Sequence, residues 1–327
     1  MRSVFIGGYM HSGTSMLINI LKRHPAIFAI RSELRLFENI PSIDAPHKNN
    51  PHLIRKFCER IRLSDDDTSV ISAEKDHFFA TTKTYGELVI RIIEKLATRQ
   101  NNLIWAEKTP SNVFFIDKIF EKFPDSKVIL IHRDVRNIIA SKKVRTLGLK
   151  TGRYNSEKIH IKRLEKDWNI LADSFSWQGT IKSENRALLK YSDKIVIVRY
   201  EDFVANPVLE WKRICEFLNI IFIEECLDIK FRNAAIRGDI NAGGIVASST
   251  DWRDILSQRE AKLATTINRK KLRKLGYAVQ EEYTSVFMLP FYFLMEIPGV
   301  FKRVFKRYRM FTFDYFLIYM KSMFRRF

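Results

Sequence analysis

The loop Gly8-Tyr9-Met10-His11-Ser12-Gly13-Thr14-Ser15 follows the apolar run Ser3 to Ile6 and precedes a helical pattern. Its spacing is that of the phosphate-cradling loop GxxxxGK[ST], with Thr14 where the lysine stands. Such a loop turns backbone N–H groups and a helix N-terminus toward an anion. Without the lysine it lacks the charge that reaches the β- and γ-phosphates of a nucleoside triphosphate. No strand-end Asp suited to Mg²⁺ is evident in the sequence. The loop therefore suits an anion with fewer charges than ATP, bound without obligatory metal. A ligand-free strand-to-helix turn is the alternative reading of the loop taken alone.

Arg133 leaves a second apolar run, Lys127 to His132, and Ser141 follows eight residues later. That spacing puts both over strand carboxyl ends, where they can grip one phosphate from two sides. Arg133 neutralising Asp134 is the plainer alternative. Trp105-Ala106-Glu107-Lys108-Thr109-Pro110-Ser111-Asn112 lies between these motifs, and Arg199-Tyr200-Glu201-Asp202-Phe203, with Asn206-Pro207, ends a third apolar run.

In this order the motifs resemble the sulfotransferase family that uses 3′-phosphoadenosine 5′-phosphosulfate, over roughly residues 3–277. The resemblance implies that His11, Ser12, Gly13, Thr14 and Ser15 form the 5′-phosphosulfate loop and that Arg133 and Ser141 hold the 3′-phosphate. Tyr200 is either a core aromatic or an adenine contact, and the loop around Arg237, Gly238 and Ser248 either closes over the nucleotide or is ordinary surface. Trp252-Arg253 before Leu272 and Leu275-Gly276-Tyr277 looks like the ending of bacterial members.

Two departures shape the expected mechanism. His11 stands where Arg or Lys is usual, and Lys108 is followed by Thr109-Pro110 with no nearby His. The chain looks instead like the carbohydrate and tyrosyl-protein branch, whose base is a Glu after the first helix. Here that is Glu33, in Arg31-Ser32-Glu33-Leu34. Lys108 and His11 would then stabilise charge on the sulfuryl group and the leaving phosphate while Glu33 takes the acceptor proton. The plainer readings pair Glu33 with Arg31 or Arg35, and Lys108 with Glu107. His132 reads as a packed strand residue, His24-Pro25 as a helix stop, and His47 and His52, which flank a Pro/Asn-rich break, either as acceptor contacts or as part of a solvated loop.

The elements that position these residues read as α/β. Strands are expected at 3–6, 103–106, 127–132 and 194–199. Helical spacing covers 14–23, 85–99, 111–122, 134–144, 155–190, 207–218 and 257–275. Residues 32–62 read as mostly helical with a break at Pro41 to Pro51, and 232–251 as a long loop. Strands separated by helices predict a mostly parallel sheet flanked by helices, in a P-loop-like three-layer fold. The expected organisation is a domain over 1–280 and a tail over 281–327.

The chain has 327 residues, 46% of them hydrophobic and 28% charged, which excludes disordered and collagen-like classes. Cys58, Cys215 and Cys226 form neither a disulfide framework nor a zinc pair, and no metal-spaced His/Cys/Asp constellation occurs. With no leader-like opening run, a reducing, cytosolic-side compartment is the expectation. The net charge of +19 points to anionic partners. Nucleic acid is set aside, since no recognition helix or RNP-like aromatic motif is present. From Tyr283 onward, eight basic and two acidic residues sit among 15 aromatics. Neither apolar run there reaches the ~20 residues of a membrane span. That composition suits attachment to an anionic membrane surface on the cytoplasmic side, or else a helical pair that packs on the body or makes a homodimer. The expected acceptor is a hydroxyl or amine of a glycan or lipid-linked molecule. A catalytically silent membrane-associated nucleotide binder and a P-loop kinase are the alternatives.

Overall fold

Strands buried on both faces need near-continuous apolar runs, and four such runs build the centre of this molecule. The computed structural model describes residues 1–30, 32–38, 43–150, 168–229, 245, 251–280, 290 and 294–301, the side chains of 147–150 excepted. The expected α/β class is observed. Strands β1 (Arg2–Gly8), β2 (Ile27–Ala29), β3 (Ile104–Lys108), β4 (Lys127–His132) and β5 (Ile195–Arg199) form one sheet in the order β2-β3-β1-β4-β5. All four pairings are parallel.

The connections supply helices to both faces. They are α1 (Thr14–Leu21), α2 (Pro51–Ile61), α3 (Asp65–Ala73), α4 (Lys75–Thr81), α5 (Tyr85–Arg99), α6 (Ile116–Lys122), α7 (Val135–Lys150), α8 (Ile170–Tyr191), α9 (Tyr200–Ala205), α10 (Pro207–Leu218), α11 (Trp252–Ile255) and α12 (Gln258–Lys274). One face of the sheet packs on α2, α5 and α6 through Phe5, Trp105 and Leu130, among others. The other packs on α1 and α10 through Ile6, Ile129 and Val198. A third cluster joins Tyr9 to α7, α8 and α12.

This topology places the site. The chain runs outward from β1 to one side and returns to the other, so the carboxyl ends of β3, β1 and β4 lie side by side at the switch point. Register aligns Ile6 with Lys108 and Gly8 with Ile131. The phosphate loop after β1 is therefore flanked by Lys108 on one side and by the segment entering Arg133 on the other.

Most expected elements are found, with shifted ends. The clear departure is 32–38, expected to be mostly helical and instead an irregular stretch with a turn at 36–38. Leu34 and Leu36 are both buried, a two-residue alternation that a helix cannot point the same way. Arg35 between them has φ 52° and donates its backbone N–H to Thr109 Oγ1 at 3.1 Å. β2, α3, α4 and α9 were not expected from the sequence. β2 is three residues long, too short for its periodicity to register. His47 is buried rather than solvated, its Nε2 2.7 Å from the carbonyl of Thr82, whereas His52 is exposed beside Arg55. Nearly all of 232–251 and of the tail lies outside the described residues. Within the tail, 294–301 is helical; Val300 is buried in the third cluster and Asn169 Nδ2 donates to Glu296.

Candidate functional site

The phosphate loop is built on two backbone exceptions. Gly8 has φ 147°, and a side chain there would run into the carbonyl oxygen of Ile131. Gly13 has φ 106°, caps the N-terminus of α1, and would strike Tyr200 Cδ2 with any Cβ. Between them Ser12 N–H bonds the carbonyl of Tyr9, closing the turn. Thr14 is buried in the first turn of α1 and Ser15 is exposed. Beneath the loop, buried Lys142 donates to Asp173 Oδ1 at 2.6 Å, and the Tyr9 hydroxyl donates to the same oxygen at 2.7 Å. This support was not read from the sequence, because Tyr9, Lys142 and Asp173 come from three separated segments.

Arg133 and Ser141 meet the loop as their spacing suggested. Arg133 Nη1 donates to the carbonyl of His11 at 3.1 Å, and its guanidinium lies 4.3 Å from the Tyr200 ring centre. Ser141 Oγ is 3.2 Å from His11 Nδ1. Asp134 is engaged by Arg136, which grips both its oxygens, so Arg133 is not spent on neutralising it. Arg133 Nε and Ser12 Oγ are buried and have no hydrogen-bond partner among the described residues. Two unmatched donors, one in the loop and one on the arginine that bonds it, fit a phosphate-bearing ligand. Tyr200 is a buried aromatic that packs on Gly13 and Arg133. His11 has φ 68°, and burial, then Lys142 and Arg145, push its imidazole down to about 3, so it is neutral at neutral pH. Arg237 and Ser248 lie outside the described residues.

On the other side of the loop, Glu33 and Lys108 converge. Lys108 Nζ donates to Glu33 Oε1 at 2.9 Å, while Arg35 Nε and Nη2 donate to Oε2 at 3.1 and 2.9 Å. Of the plain pairings, Arg35 does hold Glu33, Arg31 lies outside the described residues, and Lys108 turns to Glu33 instead of Glu107. Burial raises the Glu33 carboxyl, and Lys108 and Arg35 outweigh it, leaving the group below its ordinary value and ionised at neutral pH. The arrangement can accept a proton at a carboxylate while a lysine at the same spot meets developing negative charge.

Glu107, which the sequence offered only as a partner for Lys108, is almost fully buried. Its Oε2 accepts from Thr109 Oγ1 at 2.9 Å and its Oε1 from Asn112 Nδ2. Burial pushes its carboxyl up to about 7, against the two hydrogen bonds and Lys108. An acidic residue beside the strand-end lysine, followed by a hydroxyl, was the available signal. Among the described residues no group of three or more His, Cys, Asp or Glu is placed to hold a metal ion.

A model described as Sulfotransferase family matches residues 3–224. A "Putative protein-tyrosine sulfotransferase" of Caenorhabditis briggsae is 22% identical over 275 residues, covering 78% of this chain and 82% of that protein. The sulfotransferase domain from the curacin biosynthetic pathway superposes with a TM-score of 0.50 at 19% identity, over 85% of this chain and 98% of that one. The sulfotransferase domain of the Synechococcus PCC 7002 olefin synthase aligns at a TM-score of 0.45 and 17% identity, over 86% and 92%.

Proposed function

The chain belongs to the sulfotransferase family and is a sulfotransferase enzyme; from that premise we propose transfer of a sulfuryl group from 3′-phosphoadenosine 5′-phosphosulfate to a hydroxyl, or an amine, of a glycan or lipid-linked acceptor. The observation that carries the reading is Glu33, held ionised between Lys108 and Arg35 beside a loop whose other wall holds Arg133 and Ser141.

In this reading the backbone N–H groups of Gly13, Thr14 and Ser15 bind the 5′-phosphosulfate, with His11 and Ser12 completing the loop. Arg133 and Ser141 bind the 3′-phosphate, and Tyr200 backs Arg133 from its ring face. Glu33 accepts the acceptor's proton as its oxygen attacks sulfur. Lys108, released from Glu33 as the donor's negative charge arrives, stabilises the sulfuryl oxygens and the departing phosphate. Arg35 keeps the second carboxylate oxygen fixed, so the base stays aimed while Lys108 changes partner. Arg237 and Ser248 belong to the same reading as covers of the nucleotide.

The tail adds an anchoring proposal: peripheral attachment to the cytoplasmic face of an anionic membrane, which brings the site to a membrane-proximal acceptor. It is supported by the basic and aromatic composition after residue 283, and by Leu294, Met295 and Phe301, exposed on a segment whose Val300 is buried. Among the described residues no helix is long and apolar enough to cross a membrane.

The test incubates the protein with ³⁵S-labelled donor and fractionated glycans, lipid-linked saccharides and tyrosyl peptides, then locates the label by mass. Label on a saccharide hydroxyl or amine supports the reading. Label on tyrosine alone moves the acceptor to protein, and no transfer to any of the three classes removes the glycan or lipid-linked acceptor.

A further inference from the structure

Glu107 is the buried acid that the proposed chemistry leaves idle, and its contacts reach every part of the Glu33 side of the site. Its Oε2 accepts the Thr109 hydroxyl proton at 2.9 Å. The same Thr109 oxygen accepts the backbone N–H of Arg35 at 3.1 Å. Arg35 in turn grips Glu33 Oε2. Its Oε1 accepts from Asn112 Nδ2, which also donates to the carbonyl of Ile6 at 3.1 Å, at the end of β1. One carboxylate thus fastens the irregular stretch bearing the base to β3, the 3₁₀ turn at Pro110–Phe114, and the strand entering the phosphate loop.

The network has a definite polarity. Thr109 gives its only proton to Glu107, which leaves its oxygen free to accept Arg35 N–H. Both Glu107 oxygens serve as acceptors, as only an ionised carboxylate does without conflict. A proton on Glu107 Oε2 needs an acceptor of its own, and the Thr109 oxygen stands 2.9 Å away. Thr109 would then accept from Glu107 as well as from Arg35, its own proton would lose the Glu107 oxygen that orients it, and the hydroxyl would no longer be fixed toward the Arg35 turn. Arg35 sits at φ 52°, a backbone conformation that stays populated in a non-glycine residue only when its surroundings hold it.

Resting on the reading of Glu33 as base, we propose that Glu107 is a positioning residue for Glu33: its ionised carboxylate fixes Thr109, Thr109 fixes the Arg35 turn, and proton uptake by Glu107 releases that turn and lowers turnover. The charged groups that face it are Glu33, which disfavours its ionisation, and Lys108, which favours it; Arg35 is linked to it through Thr109. Burial places its titration at about 7, whereas Glu33 titrates below the ordinary carboxyl range. The acid limb of turnover in the wild-type enzyme therefore belongs to Glu107 rather than to the base.

The experiment compares wild type, Glu107→Gln, Thr109→Val, Thr109→Ser and Glu33→Gln. It follows release of labelled sulfate from 3′-phosphoadenosine 5′-phosphosulfate with water as acceptor, between pH 5.5 and 8.5, alongside calorimetry with 3′-phosphoadenosine 5′-phosphate. Carboxyl ¹³C shifts of labelled glutamate are read over the same range. The expected outcome is a wild-type acid limb near 7, matched by one glutamate resonance that disappears in Glu107→Gln. Glu107→Gln and Thr109→Val lose about 10–100-fold in rate, the range typical of groups that orient a reacting side chain, and lose the limb, with nucleotide affinity within about twofold. Thr109→Ser keeps the hydroxyl and restores both rate and limb. Wild-type rates and limb in Glu107→Gln and Thr109→Val overturn the proposal, as does an equal loss of nucleotide binding, which would mark Glu107 as a purely structural group. A Glu33 resonance that does not move in Thr109→Val overturns it where sulfate release is too slow to follow. Full turnover in Glu33→Gln instead removes the base itself, a separate failure.

Discussion

The two walls that flank the phosphate loop are built on opposite rules. On the Arg133 side donors outnumber acceptors: Arg133 Nε and Ser12 Oγ are buried with no partner among the described residues, and cations surround a neutral His11. On the Glu33 side each charge is already answered, with Glu33 between Lys108 and Arg35, and Glu107 capped by Thr109 and Asn112. A wall with spare donors is ready to bind an anion without rearranging. A saturated wall holds its geometry until the anion competes for Lys108. In the proposed function this contrast puts binding energy on the Arg133 wall and rate on the Glu33 wall.

After the base itself, the largest effect that can break this division comes from Lys108→Ala. Turnover should fall by about 10²–10³, the cost of removing one preorganised charge-stabilising donor. Affinity for 3′-phosphoadenosine 5′-phosphate, which carries no sulfuryl group, should change little by calorimetry. Comparable losses in both would merge the two walls into one. Arg133→Ala sharpens the other half. It should cost about 1.5–3 kcal/mol of nucleotide affinity, because a charge-assisted contact to phosphate is lost. Affinity for AMP, which has no 3′-phosphate, should hardly move; equal losses for both nucleotides would take Arg133 away from that phosphate.

The division was partly legible in the sequence. The Arg133 wall is made of local spacings, one loop of eight residues and one Arg-to-Ser interval, and spacing survives translation into structure. Glu33 and Lys108 were named through the family resemblance, but not what they do to each other. Helix was expected across 32–38, which would have hidden the left-handed Arg35 and its bond to Thr109. Glu107 stayed a default partner for Lys108, because adjacent residues on a strand point to opposite faces and only the fold shows which face Lys108 takes. Asn112 and Asp173 act through partners more than 100 and 30 residues away, contacts that no local pattern encodes. The sheet was easier. Its runs are apolar on both faces, and the helices between them imply parallel pairing, though the three-residue β2 was lost.

A smaller pair of effects tests the same contrast through pH. The His11 imidazole is depressed in the folded chain, so its contribution to stability is present above the ordinary value of 6.5 and is lost as pH falls toward 3. The Glu107 carboxyl is raised, so its contribution is present below 4.5 and is lost as pH rises through about 7. Melting temperatures of His11→Asn should therefore decline less than wild type on going from pH 7 to 5. Those of Glu107→Gln should decline less on going from pH 5 to 8. The same sign of change in both variants would contradict the assignment of opposite shifts.

The smallest expected effect concerns the tail. Truncation after Gln280 removes Val300 from the third cluster and the Asn169–Glu296 contacts, yet leaves both walls in place. Nucleotide affinity should stay within about threefold, roughly 0.7 kcal/mol. Flotation with anionic liposomes should drop to background. A full-length protein that does not float and runs as a dimer split by the truncation would turn the tail into an oligomerisation element.

The most direct test of the account is Glu33→Gln, measured in one sample for nucleotide binding and for single-turnover transfer of labelled sulfuryl to the acceptor identified by mass. The account predicts unchanged affinity for 3′-phosphoadenosine 5′-phosphate and a transfer rate lower by about 10²–10⁴, the range for loss of a positioned general base. Full transfer by Glu33→Gln, or loss of nucleotide binding in step with rate, would contradict it.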